Sequence, residues 1–219
     1  MRRSVIVVSI LMILLGSTPV WGQDKDSLTL PWEEHLNLRQ PPDTVLKLIG
    51  IKPGMVIGEV GAGRGRYTVQ IAARISPGGT LYANDINQAA LDYLETRCKK
   101  HGFTNVKTIL GEISETKLPE AALDMVIMVN VVHCLDKPVE LLQNVARTLK
   151  PEGSLVIVEG NLDKYPESRE WYSRSRLLEI CSNAGFVLTR EETFLPKDNI
   201  YILKSDQGPE AEDQETSKE

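Results

Sequence analysis

The chain has 219 residues, of which 42% are hydrophobic and 25% are charged, with 25 Lys and Arg against 30 Asp and Glu. This length suits one α/β domain with a substantial core, and the composition excludes wholesale disorder. The formal charge of −5 argues against a nucleic-acid binder that relies on bulk positive charge. Three Cys without a Cys-x-x-Cys pair exclude a disulfide-dense scaffold, and no metal site is expected.

The N-terminus has the pattern of an export signal. Two Arg precede an apolar run at residues 5–15, and small residues stand at −3 and −1 of a cut before Gln23. The run is about half of the ~20 residues that a membrane-spanning helix needs. We therefore predict a signal peptide at residues 1–22 and an exported protein, periplasmic or secreted, without stable membrane insertion after cleavage. The alternative is a membrane anchor through residues 5–15.

Strand and helix patterns alternate from residue 41 onward. A continuous apolar run at 123–130 is typical of a strand that is covered on both faces. Strands that alternate with helices of 10–15 residues predict right-handed βαβ units and a mostly parallel sheet. The predicted strands are 55–60, 80–85, 105–111, 123–130 and 154–160, and the predicted helices are 67–75, 88–101 and 138–149. A turn is predicted at 151–153, just before the fifth strand.

The C-terminal pattern departs from this alternation. After a predicted helix at about 173–184, strands at 186–194 and 199–204 are joined by only four residues. They must be antiparallel, because a parallel crossover needs about a dozen residues or more. We predict a lead-in at 23–40 and then one doubly wound, Rossmann-like α/β domain at 41–204. Its seven-stranded, mostly parallel sheet ends in an antiparallel C-terminal hairpin.

The last fifteen residues carry six acids, one Lys and no large apolar side chain. Such a segment cannot bury enough surface to offset the entropy of ordering, so residues 205–219 are predicted to be a disordered acidic tail. The net charge is −5 on the tail and +2 on the predicted signal, which leaves a net charge of −2 on the body of the protein. A nearly neutral body favours a small-molecule partner over nucleic acid.

A glycine-rich loop follows the first strand, with the sequence Glu59-Val-Gly61-Ala-Gly63-Arg-Gly65-Arg66. Glycines after a buried strand allow a tight turn and the close approach of a ligand to the backbone. A dinucleotide-binding Gly-x-Gly-x-x-Gly that starts at Gly61 would need glycine where Arg66 stands. No Lys-Ser/Thr pair follows to make a phosphate-binding P-loop. The spacing therefore disfavours both kinds of site.

Five blocks, taken together, resemble the class I S-adenosylmethionine-dependent methyltransferases. The glycine loop resembles the first motif of that family, and the terminal hairpin is also characteristic of its fold. Within the family the chain is most similar to small bacterial methyltransferases that carry an export signal. The other blocks are residues 81–87, 111–113, 123–133 and 149–159, and the resemblance covers about 40–204.

The resemblance implies a site for S-adenosylmethionine at the carboxyl ends of the strands. Glu59 would orient the loop, Asp85 would accept hydrogen bonds from the ribose hydroxyls, and Ile86 would press on the adenine. The alternative for Asp85 is that it caps the next helix. The implied cofactor-binding residues are Glu59, Gly61, Gly63, Gly65, Asp85, Ile86, Glu112, Ile113 and Asn130.

Methyl transfer from a sulfonium depends mostly on positioning, with a general base only where the nucleophile must lose a proton. His133, just past the fourth strand, is the candidate base. The alternative is a histidine that is hydrogen-bonded within its loop. The family often has a second histidine where this chain has Cys134, whose thiol is an alternative ligand for a soft acceptor.

The acceptor pocket is expected from the two least patterned segments, residues 30–40 and 161–176. The second segment places Tyr165, Trp171 and Tyr172 among three arginines, a set that suits an anionic or aromatic acceptor. The alternative is a lid packed on the sheet with its arginines in solvent. We therefore expect a methyltransferase acting on a small molecule. A non-catalytic S-adenosylmethionine-binding module and a nicotinamide-dependent oxidoreductase are the alternatives.

Overall fold

The computed structural model describes residues 28–206. The predicted signal peptide and most of the predicted acidic tail lie outside the described residues. Within the described part of the chain, no helix is both long and apolar enough to cross a membrane.

A sheet of seven strands forms the centre of the domain. The strands are β1 (Val56–Val60), β2 (Thr80–Asp85), β3 (Val106–Leu110), β4 (Leu123–Val129), β5 (Leu149–Gly160), β6 (Phe186–Glu192) and β7 (Asp198–Ser205). Their order is β3-β2-β1-β4-β5-β7-β6. The first five strands are parallel, and β7 lies antiparallel between β5 and β6. This arrangement confirms the predicted Rossmann-like α/β fold with its C-terminal hairpin.

Within residues 28–206, six α-helices and two short 3-10 turns precede or connect these strands. Pro138 stands in the first turn of its helix, where its missing N–H costs no hydrogen bond. The helices are α1 (Glu34–Arg39), α2 (Pro42–Leu48), α3 (Thr68–Ile75), α4 (Gln88–Lys100), α5 (Pro138–Thr148) and α6 (Arg174–Asn183), and the 3-10 turns are Pro31–Glu33 and Val132–Cys134.

Apolar side chains cover both faces of the sheet. Along β4, Val126 and Met128 join a cluster with α5 and α6, whereas Met125 and Ile127 join a cluster with α2 and α3. Successive residues of a strand point to opposite faces, so both faces of β4 are buried. The continuous apolar run at 123–130 is therefore a doubly covered strand, as predicted.

The start of β5 differs from the prediction. The turn expected at 151–153 lies inside the strand, which begins at Leu149 rather than at 154. The register of β5 against β4 shifts there, from Leu123 opposite Leu149 to Met125 opposite Ser154. Because Pro151 has no N–H to donate, the ladder is interrupted at this point by an irregularity, but the strand does not end.

Candidate functional site

A cavity of about 270 Å³ opens at the carboxyl ends of β1, β2 and β4. In open α/β sheets, ligands bind in the crevice at this edge, where the strand order reverses. The structure brings together most of the residues implied to bind the cofactor. Those that line the cavity are Gly61, Asp85, Ile86, Glu112, Ile113 and Asn130.

The glycines of the loop have different surroundings. Gly61 has φ +75°, and a Cβ on it would lie 2.4 Å from Cγ2 of Val131, which lines the cavity. Gly65 has φ +86°, and its Cβ would lie 2.3 Å from Cδ1 of Leu94 on α4. Gly61 therefore serves the close packing of the cavity wall, whereas Gly65 lets α4 approach the loop and does not line the cavity.

Asp85 is held at the edge of the cavity by two backbone donors. Its Oδ2 accepts from the Gly63 N–H at 2.7 Å, and its Oδ1 accepts from the Asn87 N–H at 2.9 Å. Helix α4 is capped by the side chain of Asn87, which accepts from the Ala90 N–H, so the capping alternative for Asp85 is wrong. Each carboxylate oxygen keeps a further acceptor site, and the pair suits a vicinal diol.

Two isoleucines give the cavity an apolar side. Ile86, just after β2, is 63% exposed and Ile113, after β3, is 52% exposed, and both line the cavity. The carboxylate of Glu112, which also lines the cavity, forms an ion pair of 2.6 Å with Lys117. The apolar surface suits a flat ring, and the Glu112 carboxylate is already engaged by a cation.

Asn130 joins the cavity to the lead-in segment. It has φ +57°, and its Oδ1 accepts from Arg39 Nη2 and Gln40 Nε2, both at 2.8 Å. Arg39 Nη2 and Gln40 Nε2 also donate to Oδ1 of Asp198, at 2.9 and 2.7 Å. Burial raises the pKa of Asp198, and its Oδ2 has no hydrogen-bond partner. Arg39 and Gln40 belong to the segment 30–40 that the sequence indicated, although neither was singled out, and Asp198 was not foreseen, because no local pattern links the three.

Glu59 lies behind the glycine loop and does not line the cavity. Its carboxylate accepts from Oγ1 of Thr68, the first residue of α3, at 2.5 Å. Burial raises the pKa of Glu59 to about 7. Arg66, the residue that breaks the dinucleotide pattern, donates to Oε1 of Gln40 at 2.8 Å. These contacts fit the expected role of Glu59 in orienting the loop, and Arg66 ties the loop to the lead-in.

His133 lies in the 3-10 turn beyond β4, beside the cavity. It is not among the cavity-lining residues, although its neighbour Cys134 is. His133 Nδ1 is 2.7 Å from Oε1 of Glu159, whose side chain is fully buried at the end of β5. This hydrogen bond raises the pKa of His133, whereas burial raises the pKa of the Cys134 thiol. The structure thus gives the candidate base a carboxylate partner that sequence reasoning missed.

The segment after β5 covers the end of that strand. A Cβ on Gly160 would lie 2.2 Å from the ring of Trp171, so only glycine permits this contact. The guanidinium of Arg39 lies over the ring of Trp171, with its carbon 4.8 Å from the ring centroid. Arg174 and Arg176 form ion pairs with acids at the surface. This arrangement fits the lid alternative more closely than an arginine-lined acceptor pocket.

Comparison with known proteins adds a family match and several distant relatives. Residues 51–206 match the family model described as methyltransferase domain. The chain is 26% identical over 175 residues to a probable cobalt-precorrin-6B C(15)-methyltransferase (decarboxylating) of Methanosarcina mazei, which covers 72% of this chain and 86% of that protein. It is 25% identical over 136 residues to a demethylmenaquinone methyltransferase of Geobacillus sp., which covers 62% of this chain and 57% of that protein.

The fold is also similar to that of solved structures. A SAM-dependent methyltransferase from Aquifex aeolicus matches with a TM-score of 0.72 at 24% sequence identity, covering 83% of this chain and 99% of that chain. The [4+2]-cyclase SpnF matches with a TM-score of 0.67 at 15% identity, covering 78% of this chain and 82% of that chain. At these identities the likeness is one of fold.

Proposed function

Because the family model matches residues 51–206, the chain belongs to the methyltransferase-domain family, and we propose that it is an S-adenosylmethionine-dependent methyltransferase acting on a small molecule. The observation that carries this proposal is the Asp85 carboxylate, fixed by two backbone N–H groups at the edge of a cavity with an apolar side. The fold likeness to the Aquifex aeolicus protein supports the same cofactor.

Residues that line the cavity would contact the ribose, the adenine and the methionine end of that cofactor. Asp85 would accept hydrogen bonds from the ribose diol, and Ile86 and Ile113 would contact the adenine faces. The backbone at Gly61 and Asn130 would border the methionine end. S-adenosylmethionine supplies a methyl group on a positively charged sulfur, so the protein need only hold the acceptor in line with it.

Cofactor binding is the first test of this proposal. S-adenosylmethionine and S-adenosylhomocysteine should each bind the purified protein with a Kd of about micromolar in calorimetry, and NADH should not bind. Binding of NADH without S-adenosylmethionine would favour the oxidoreductase alternative. Transfer of labelled methyl to a panel of small acceptors separates an enzyme from a binding module without catalysis.

Asp85→Ala should weaken S-adenosylhomocysteine binding by ~1–3 kcal/mol, the range for a lost hydrogen bond to a charged group. Asp92→Ala is the matched control, because Asp92 is an exposed acid on α4 that does not line the cavity. Calorimetric titration of both variants gives the comparison. Unchanged binding in Asp85→Ala, or an equal loss in Asp92→Ala, would contradict the assignment of Asp85 to the ribose.

We also propose that the protein is exported and that the acceptor is met outside the cytoplasm. The basic pair, the apolar run at residues 5–15 and the small residues before Gln23 support this proposal. The weak charge of −2 on the body fits a small molecule as acceptor.

A further inference from the structure

Glu159 is a buried carboxylate that the proposed cofactor site does not use. Its Oε2 accepts from the Val132 N–H at 2.9 Å, and its Oε1 accepts from the Gly160 N–H at 3.2 Å. Oε1 also lies 2.7 Å from Nδ1 of His133. A buried acid is costly unless it is paired, and the partners described here are the backbone N–H groups of Val132 and Gly160 and the imidazole of His133. The carboxylate is therefore built to hold one imidazole.

The bond to Glu159 determines which nitrogen of His133 is free. An ionised carboxylate can only accept, so neutral His133 must carry its proton on Nδ1. Nε2 is then the proton-accepting nitrogen. The imidazole is 10% exposed, so solvent does not compete strongly for the bond to Glu159. Cys134, the next residue of the turn, and Val131, which directly precedes the turn, line the cavity.

We propose that Glu159 is a positioning residue, which holds His133 so that Nε2 takes the proton from an acceptor whose attacking atom carries one, such as a hydroxyl. This inference rests on the proposed function. The attacking atom forms a bond to the methyl carbon, and the carbon–sulfur bond breaks with its electron pair on sulfur. The proton of the acceptor passes to Nε2, and Glu159 stabilises the imidazolium that results.

Three charged groups face His133 from different elements. Glu159 on β5 and Glu170 in the segment after it raise the pKa of His133, and Arg39 on α1 lowers it, as burial also does. The bond to Glu159 is the strongest of these influences. Since the folded protein holds the proton of His133 more tightly than usual, the neutral form that accepts a proton becomes populated only as pH rises through this raised pKa.

Nuclear magnetic resonance of the full chain with ¹⁵N-labelled histidine tests the assignment directly. The chain has three histidines, and His133→Gln identifies the signals of His133. We expect neutral His133 to carry its proton on Nδ1. Glu159→Gln should lower the pKa of His133 by about one unit, as for loss of an adjacent opposite charge. Glu170→Gln, which removes the same charge from an exposed residue, should shift it far less.

Two results would overturn the inference. One is a neutral His133 with its proton on Nε2, and the other is an equal shift in Glu159→Gln and Glu170→Gln. If Glu159→Gln does not fold, the protonated nitrogen in the wild-type protein decides the question alone. Titration of the wild-type protein with S-adenosylhomocysteine is independent of these readouts. If S-adenosylhomocysteine does not bind, the proposed function is contradicted, but the assignment of the Glu159–His133 hydrogen bond is not affected.

Discussion

Gly61 and Gly63 both have positive φ, but only Gly61 is sterically confined. A Cβ on Gly61 would lie 2.4 Å from Cγ2 of Val131, whereas a Cβ on Gly63 has nothing within 4 Å. Gly63→Ala should therefore cost only backbone strain, about 1–2 kcal/mol of unfolding free energy. Gly61→Ala should cost ~1–3 kcal/mol more because of the clash. Denaturant unfolding of both variants measures the difference, and equal costs would contradict the contact with Val131.

Glu59 should make stability depend on pH. Its pKa is 4.5 without burial and about 7 in the folded protein. The folded state therefore binds the proton more tightly, so stability falls as pH rises from 4.5 to 7, and the whole loss is present above 7. A shift of this size corresponds to roughly 3 kcal/mol.

Glu59→Gln should remove much of that fall, because an amide has no proton to lose in this range. Urea unfolding at pH 5 and pH 8 gives the change in unfolding free energy for each protein. Glu120→Gln, a change at an exposed acid, should keep the wild-type dependence. A fall in Glu59→Gln as large as that of the wild-type protein would show that other groups cause it.

At the scale of elements, a buried ion pair fixes the lead-in to α4. Nη1 and Nη2 of Arg97 donate to Oε1 and Oε2 of Glu33 at 2.7 and 2.9 Å, and Nη2 also donates to the Leu28 carbonyl at 2.6 Å. The two side chains are 4% and 1% exposed. The lead-in is thereby held against the domain, with Arg39 and Gln40 at its far end beside the cavity.

Glu33→Ala should destabilise the fold by about 3–5 kcal/mol, because it leaves the Arg97 guanidinium buried without its counter-charge. Glu140→Ala is the control, since Glu140 pairs with Lys137 at the surface, where such pairs contribute ~0–1 kcal/mol. Denaturant unfolding compares the two variants. A loss in Glu33→Ala no larger than in the control would mean that the lead-in is held by other contacts.

At the scale of the whole molecule, the sequence of residues 1–22 predicts that the protein is exported. If they form a cleaved signal, protein recovered from the periplasm or medium should begin at or near Gln23, which mass spectrometry of its N-terminal peptide will show. Replacing Arg2 and Arg3 by Glu should make the precursor accumulate, since the basic region is part of the signal. An intact N-terminus recovered with membranes would instead favour an anchor through residues 5–15.

Sequence periodicity determined most of the architecture. The alternation of strand and helix, the doubly covered run at 123–130 and the short link before β7 are local patterns, and each has a local physical cause. The positions of Asp85 and the glycine loop follow from them, because each ends a parallel strand at the same edge of the sheet.

Only the tertiary structure decided which distant side chains meet. Arg39 binds Asp198 across 159 positions of sequence, and Glu159 meets His133 across 26. The start of β5 is also decided by its partner strand, since Leu149 pairs with Leu123 despite the Pro-Glu-Gly sequence after it. Periodicity reports which face of an element is buried, but a buried polar group is stabilised by whichever partner the packing brings to it.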